Sequence, residues 1–274
     1  MIITPKTNPK KFSEFLKQLY NKNLYQYKFL NQYIKDAFAG KSVFYDGSVI
    51  SIHDAGWIMI LHGDVLSVYG ECWKSIQFKE ISEVFNLYQF TNYGISGDAK
   101  LIAALLDFFD ISKRIVEKER ILYRSQNVIT FKAGDFKIIN GEVNEINELA
   151  AMLQQYYHEE YDGNNDKTIA EMQRRVRQVI FSRAIYIMKD TSNQILGFCT
   201  IINPDIGILF IKTEYRNKGY GKILMSYCAQ VLKKTNDEVY VMTDKMKSAS
   251  NAVCMAVGFQ SFFDYAMIEI NRTR

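Results

Sequence analysis

Apolar residues along the chain follow two rhythms, one helical and one alternating, and they trade places often enough to predict a mixed fold. In the first forty residues Phe12, Phe15, Leu16, Leu19 and Tyr20 recur three and four apart, the buried face of one or two amphipathic helices that end near Gly40. Short strand-like runs follow at 42–45, 49–52, 57–61 and 65–69. They are separated by Asp-Gly, Asp-Ala-Gly and His-Gly-Asp, which are turn signals for an antiparallel meander. Next come a helix over 76–88, a strand-like piece at 89–93, and a turn at Gly94-Ile95-Ser96-Gly97. That turn opens a helix carrying Leu101, Leu105, Leu106 and Phe109. A strand-like stretch at 127–131 closes this part of the chain.

From residue 136 a similar order begins again. A strand at 136–139 leads into a helix marked by Val143, Ile146, Leu149 and Leu153, and a second helix runs over 168–181. Strands at 184–188 and 195–202 precede a third at 206–211, which is almost wholly apolar and therefore reads as buried on both faces. From Gly219 onward Ile223, Leu224, Tyr227, Cys228, Val231 and Leu232 form one broad face of a helix. A strand at 239–243 and a short helix over 247–257 follow, closed by Gly258-Phe259. The boundary falls near 132–134, giving an N-terminal α+β domain over 1–132 and a second domain over 133–274. Strands, a glycine turn and a helix occur in both, so the first domain reads as a worn copy of the second, with too little identity to call a repeat.

Composition adds mainly exclusions. At 274 residues, 48% of them hydrophobic, the chain has material for about two domains of ordinary size. No apolar run approaches the ~18 residues that span a bilayer, and the start lacks the apolar core of a secretory signal, so a cytoplasmic protein without membrane partners is expected. Cys72, Cys199, Cys228 and Cys254 are widely spaced and only three histidines accompany them, which points to free thiols and no metal site. A net charge of +4 gives no reason to expect nucleic acid.

Chemistry concentrates between the strand at 206–211 and the helix after it, in Arg216-Asn217-Lys218-Gly219-Tyr220-Gly221-Lys222. Glycines at the mouth of a helix let a ligand approach the backbone, and the first amides of that helix have no partner inside it. The helix dipole and three cations favour an anion, and a pyrophosphate would suit the space. The plainer reading is a solvated basic turn. Arg216-x-x-Gly219-x-Gly221 nevertheless resembles the nucleotide-binding motif of the GNAT superfamily of acyl-CoA N-acyltransferases. Ser250-Asn251-x-x-Cys254-x-x-x-Gly258-Phe259 is similar to a second stretch of the family, with cysteine where the family usually has tyrosine. The resemblance covers about residues 133–270.

That resemblance implies a mixed, mostly antiparallel central sheet flanked by helices, and acetyl-CoA as the donor. By position it assigns Arg216, Asn217, Lys218, Gly219, Tyr220, Gly221 and Lys222 to the pyrophosphate. It assigns the strand end at Phe210, Ile211 and Thr213 to the pantetheine arm and thioester carbonyl, with Ser250 and Asn251 nearby. The implied reaction is transfer of an acetyl group to a primary amine of a small molecule or peptide by direct attack, which requires a neutral amine and hence a group that takes its proton.

Asp205 is one candidate base, near a position where some members carry a glutamate. Glu159 and Glu160, adjacent in a tyrosine-rich stretch after the first helix of this half, are the other two. A turn residue after Pro204 and a solvated acidic pair are the plainer readings. Cys254 occupies the slot of the usual proton donor, and a packed helix residue is its plainer reading. A non-catalytic acyl-CoA-binding or sensory module stays open beside the enzyme. The N-terminal domain is expected to cover the acceptor site or to mediate a homodimer.

Overall fold

The computed structural model describes residues 1–41, 43–90, 92–132 and 134–270. Contacts group them into two compact units: residues 1–121 with the segment that starts at Phe263, and residues 122–262. The last strand of the chain thus belongs to the first unit, whereas the sequence reading keeps 133–274 together.

The first half of the chain runs β1 (Ile2–Ile3), α1 (Pro9–Lys22), α2 (Lys28–Phe38), β2 (Val49–His53), β3 (Gly56–His62) and β4 (Leu66–Glu71). It continues with α3 (Ile76–Ser82), β5 (Tyr93–Asp98), α4 (Ala99–Phe108) and β6 (Arg114–Ser125). The second half runs β7 (Lys137–Asn140), α5 (Ile146–Glu160), α6 (Ile169–Phe181), β8 (Ile185–Lys189), β9 (Ile195–Ile202) and β10 (Asp205–Ile211). It ends with α7 (Tyr220–Lys233), β11 (Val239–Asp244), α8 (Ser248–Ala256) and β12 (Gln260–Ile270). Element for element the two halves have the same order.

In the first unit the strands lie in the order β1-β2-β3-β4-β5-β12, and in the second β6-β11-β10-β9-β8-β7. The pairs β4/β5 and β10/β11 are parallel. The meanders β2-β3-β4 and β7-β8-β9-β10 are antiparallel, as is β5/β12. The result is the mixed, mostly antiparallel sheet flanked by helices that the sequence predicts.

Each core explains its unit. Ile58, Ile60, Leu66 and Val68 of the first sheet bury against Phe78, Ile81, Leu101 and Leu105 of α3 and α4, and β12 contributes Ala266, Ile268 and Ile270 to the same cluster. In the second unit Leu149, Leu153, Met172 and Val176 of α5 and α6 cover Ile185, Ile187, Phe198 and Phe210. Burial of such side chains stabilises by about 1.5–3 kcal/mol each.

Several expected elements differ. Residues 43–45 are not a strand, though Tyr45 N–H donates to His62 O at 3.1 Å, and Ser42 lies outside the described residues. The helix expected over 76–88 stops at Ser82, and a 3-10 turn at Leu87–Gln89 follows. Gly94 to Gly97 form no turn; they lie in β5, where a Cβ on Gly97 would stand 2.0 Å from Val68 O. Helix α4 begins instead at Asp98, whose carboxylate accepts Lys100 N–H at 2.9 Å and Leu101 N–H at 3.0 Å, an N-cap.

Residues 127–131 lie outside any strand, and the strand that precedes them, β6, escapes the hydrophobic pattern because its first four residues are exposed, Ile115 and Val116 included, and Glu117 to Arg120 are charged. Among the described residues no helix is long and apolar enough to cross a membrane, and no group of three His, Cys, Asp or Glu could hold a metal ion.

The segment before the expected boundary is bonded into the second unit. Ile129 N–H donates to Val257 O at 2.9 Å, Ser226 Oγ donates to Ile129 O at 2.8 Å, and Gln126 reaches Glu238 at 2.9 Å. A fragment of residues 133–274 loses these bonds together with the end of β6. It is expected to show no cooperative unfolding transition by circular dichroism, whereas the full chain does; a cooperative melt of the fragment would contradict this role.

Candidate active site

The geometry of β10 starts from a mismatch in length. Between Ile206 and Leu209 this strand carries one residue more than β9 opposite it, a β-bulge. The Thr200 hydroxyl accepts the Ile208 N–H at 2.7 Å. A Cβ on residue 207 would stand 2.5 Å from that hydroxyl, so only Gly207 lets Thr200 fill the bulge. A bulge bends its strand, and β10 parts from β11 here. The two pair only at Asp205–Tyr240 and Ile206–Val241, although one continues to Ile211 and the other to Asp244.

The bulge also decides which backbone groups face the gap. Lys212 N–H donates to Leu196 O at 3.0 Å, so by the alternation of an antiparallel ladder Phe210 faces β9 too. Leu209 and Ile211 therefore turn their backbone groups toward the gap. The Ile211 carbonyl accepts Arg216 Nε at 2.9 Å. A Cβ on Gly221 would lie 3.8 Å from Leu209, 3.8 Å from Val253 and 3.9 Å from Ile211, so the mouth of the gap is apolar. It is framed by β10, the first turn of α7 and α8.

Above this mouth the chain makes a 3-10 turn at Thr213–Tyr215, extends at Arg216, and takes left-handed conformations at Asn217 (φ 61°) and Gly219 (φ 85°). Helix α7 starts at Tyr220 with no side chain capping it, and nothing lies within 4 Å of where a Gly219 Cβ would stand. Its first amides have no partner within the helix. Lys218 is exposed, with Nζ 5.4 Å from the centre of the Tyr215 ring, and Lys222 is half-buried beside it. Open amides, a helix dipole and two lysines form a cradle that fits a diphosphate.

Arg216 is engaged by protein groups. Its guanidinium lies 5.3 Å from the centre of the Phe210 ring and donates to both carboxylate oxygens of Glu159, at 3.1 and 2.8 Å. Lys247 Nζ donates to the Glu159 carbonyl at 2.9 Å. Glu159 thereby ties the end of α5 to the loop after β10 and to the start of α8.

The other sequence candidates are dispersed. Phe210 is buried, with its ring centre 5.9 Å from that of Phe198. Thr213 is exposed, its hydroxyl accepting Gln155 Nε2 at 3.2 Å, and the Tyr220 ring lies 4.8 Å from that of Phe136. Asp205 opens β10 opposite Ile202 and Tyr240, at the closed end of the gap. Burial and a hydrogen bond to Glu238 push the Tyr240 hydroxyl up to about 12. Glu160 ends α5, next to the Glu159 that holds Arg216, and so sits at the open end. About 20 Å of strand separates the two ends.

Ser250 is half-buried in α8. The Asn251 side chain is engaged by protein groups: its Nδ2 donates to Asp244 O at 3.1 Å and Lys245 O at 3.2 Å, and its Oδ1 accepts from Tyr123 and Thr243. Cys254 is fully buried, and burial pushes its thiol up to about 12. Leu209, Val253 and Lys247 escaped the sequence reading. The bulge that aims Leu209 has one local sign, the glycine at 207.

Residues 146–259 match the acetyltransferase (GNAT) family. The fold is similar to that of a GNAT-family acetyltransferase from Colwellia psychrerythraea over 90% of this chain and 96% of that one, with a TM-score of 0.53 and 12% identity. A GCN5-related N-acetyltransferase from Sphaerobacter thermophilus is similar over 83% of this chain and 82% of that one, at a TM-score of 0.52 and 13% identity. A Drosophila protein is similar over 94% and 96%, at 0.52 and 11%. These likenesses extend over both halves, so the first half shares the fold as well. No curated protein sequence matches the chain.

The thiols give a direct check on burial. Cys72 is exposed while Cys199, Cys228 and Cys254 are buried. Ellman's reagent is expected to react quickly with one thiol of the native protein and with the other three only after denaturation. Cys72→Ser should abolish the fast phase, and a fast phase surviving it would show that a buried thiol is open to solvent.

Proposed function

We propose that the second unit, whose residues 146–259 are a domain of the GNAT family, transfers an acetyl group from acetyl-CoA to a primary amine of a small molecule or peptide. The observation that carries this reading is the parting of β10 from β11 directly beneath the uncapped start of α7. An acyl thioester supplies an activated acyl group, and this chain supplies the means to hold and orient it. The amides of residues 219–221 with Lys218 and Lys222 hold the diphosphate. The apolar mouth at Leu209, Ile211, Gly221 and Val253 receives the arm. The N–H groups of Leu209 and Ile211, aimed into the gap, offer donors to the arm and the thioester carbonyl; one such donor is worth on the order of 3 kcal/mol at a reacting oxygen.

Proton handling falls to Asp205. An arm that enters at the loop and runs back along β10 brings its reacting end toward the closed end of the gap, where Asp205 stands, and away from Glu160. Asp205, directly or through water, takes the proton from the attacking amine. Cys254 is a packing residue in this scheme, since its thiol is enclosed and held in its neutral form.

Among its described residues the first unit offers no second site of this kind. The turn after β4 corresponds to the loop after β10, but there Lys74 N–H is capped by the Gln77 side chain at 2.9 Å, and Gln77 is itself fixed to Ser51 O at 3.0 Å. Tyr27, Trp57 and Tyr69 fill the space beside β4 with buried rings. One CoA per chain is therefore expected. A second reading, a CoA-binding module without turnover, is favoured by the enclosed Cys254 in the slot of the family's proton donor.

Isothermal titration with CoA should give a stoichiometry of one. Gly219→Glu places strain at a left-handed residue and a like charge at the cradle, and should weaken CoA binding by more than about tenfold, or about 1.4 kcal/mol. Unchanged affinity would mean that the phosphates bind elsewhere. Release of CoA thiol from acetyl-CoA with a panel of amines separates the two readings: binding without release across the panel supports the module.

A further inference from the structure

The first half of the chain sends a buried tyrosine hydroxyl into the second unit. Tyr123, on the part of β6 that belongs to that unit, is 3% exposed, and its hydroxyl donates to Asn251 Oδ1 at 3.1 Å. Thr243, 5% exposed, donates to the same oxygen. The amide of Asn251 meanwhile grips the carbonyls of Asp244 and Lys245, at the point where β11 ends and the chain turns into α8. Asn251 is thus a clamp with two donors on one arm and two carbonyls on the other.

The direction of the clamp matters because β11 lies between β6 and β10 in the sheet. A bond from β6 to the residue that holds the end of β11 draws that end toward β6, and so away from β10. The separation of β10 and β11 beyond Ile206 is the gap itself. The bulge at Gly207 bends one wall; the Tyr123–Asn251 clamp fixes the other, and it also fixes the α8 turn that places Val253 at the mouth.

We propose that Tyr123, contributed by the first half, is a positioning residue for the thioester arm of CoA, acting through Asn251 to hold the gap open. The inference rests on the reading of that gap as the CoA site. The Tyr123 hydroxyl bonds to Asn251 of α8, whereas the cradle is built at the start of α7. Loss of the hydroxyl should therefore weaken recognition of the arm and leave recognition of the diphosphate alone.

The test compares two ligands on the full chain by isothermal titration: CoA, and 3′-phosphoadenosine 5′-diphosphate, which has the diphosphate and lacks the arm. Tyr123→Phe removes one hydroxyl from a buried ring without changing its shape. A buried hydrogen bond is worth about 1 kcal/mol, so CoA affinity should fall about fivefold. Affinity for the diphosphate should stay within about twofold of the wild type. Thr243→Val, which removes the other donor to the same oxygen, should give the same pattern.

Unchanged CoA affinity in Tyr123→Phe overturns the proposal. An equal loss for both ligands does so too, because it marks general destabilisation. A wild-type chain that binds neither ligand overturns the reading of the gap as a CoA site, and this inference with it. Binding of both by the wild type with no selective loss in the variant overturns the inference alone.

Discussion

Everything proposed for the second unit depends on two parallel strands that stop pairing after two residues. A parallel pair normally continues as long as both strands do, because each unmade bond leaves backbone groups to be satisfied elsewhere. Here the interruption is compensated locally. Thr200 satisfies the Ile208 amide at the bulge, and Arg216 satisfies the Ile211 carbonyl at the far end. Leu209 and Ile211 keep N–H groups directed toward the space that opens. The gap is a built feature with specific residues at each corner, and the uncapped start of α7 lies above it.

Charge around the loop is divided between structure and ligand. Of the three cations flanking the glycines, Arg216 is turned inward onto Phe210 and Glu159, where it fastens α5 to β10. An arginine suits that task because its planar fork can meet a carboxylate, a carbonyl and a ring at once. Lys218 and Lys222 are the point charges that stay beside the helix start. The electrostatic argument for an anion site therefore rests on two lysines and the backbone, and the arginine of the motif contributes by shaping the loop.

Much of the second half was legible in the sequence because its signals are local. An apolar run, a glycine-bearing turn and a 3.6-residue period sit next to one another between 206 and 232 and need no distant partner to be interpreted. Strand β6 was not legible: Arg114 to Glu117 are exposed, the apolar Ile115 and Val116 included, and Glu117 to Arg120 are charged, so the run carries little hydrophobic pattern although it is a strand. Gly94 and Gly97 misled because glycine marks a turn in most contexts, whereas Gly97 admits the Val68 carbonyl of a neighbouring strand. The role of Leu209 follows from a one-residue register shift, which reverses the facing of every group beyond it. Of the partners of Asn251, Tyr123 was out of reach, since it stands 128 positions away.

The two halves share an order of elements, yet each unit is completed by a strand from outside its own contiguous run. Ala266, Ile268 and Ile270 of β12 enter the core that begins with β2 and β3, and Leu122 to Ser125 of β6 belong to the unit that holds residues 146–259. Cutting the chain between the halves leaves each unit short of a strand segment that it counts as its own. This constraint accounts for the persistence of a first half whose own loop is capped and whose cleft is filled with rings. The turn after β4 holds no glycine, and its Lys74 amide is capped by Gln77. The demand for a strand that satisfies β11 and carries Tyr123 to Asn251 remains.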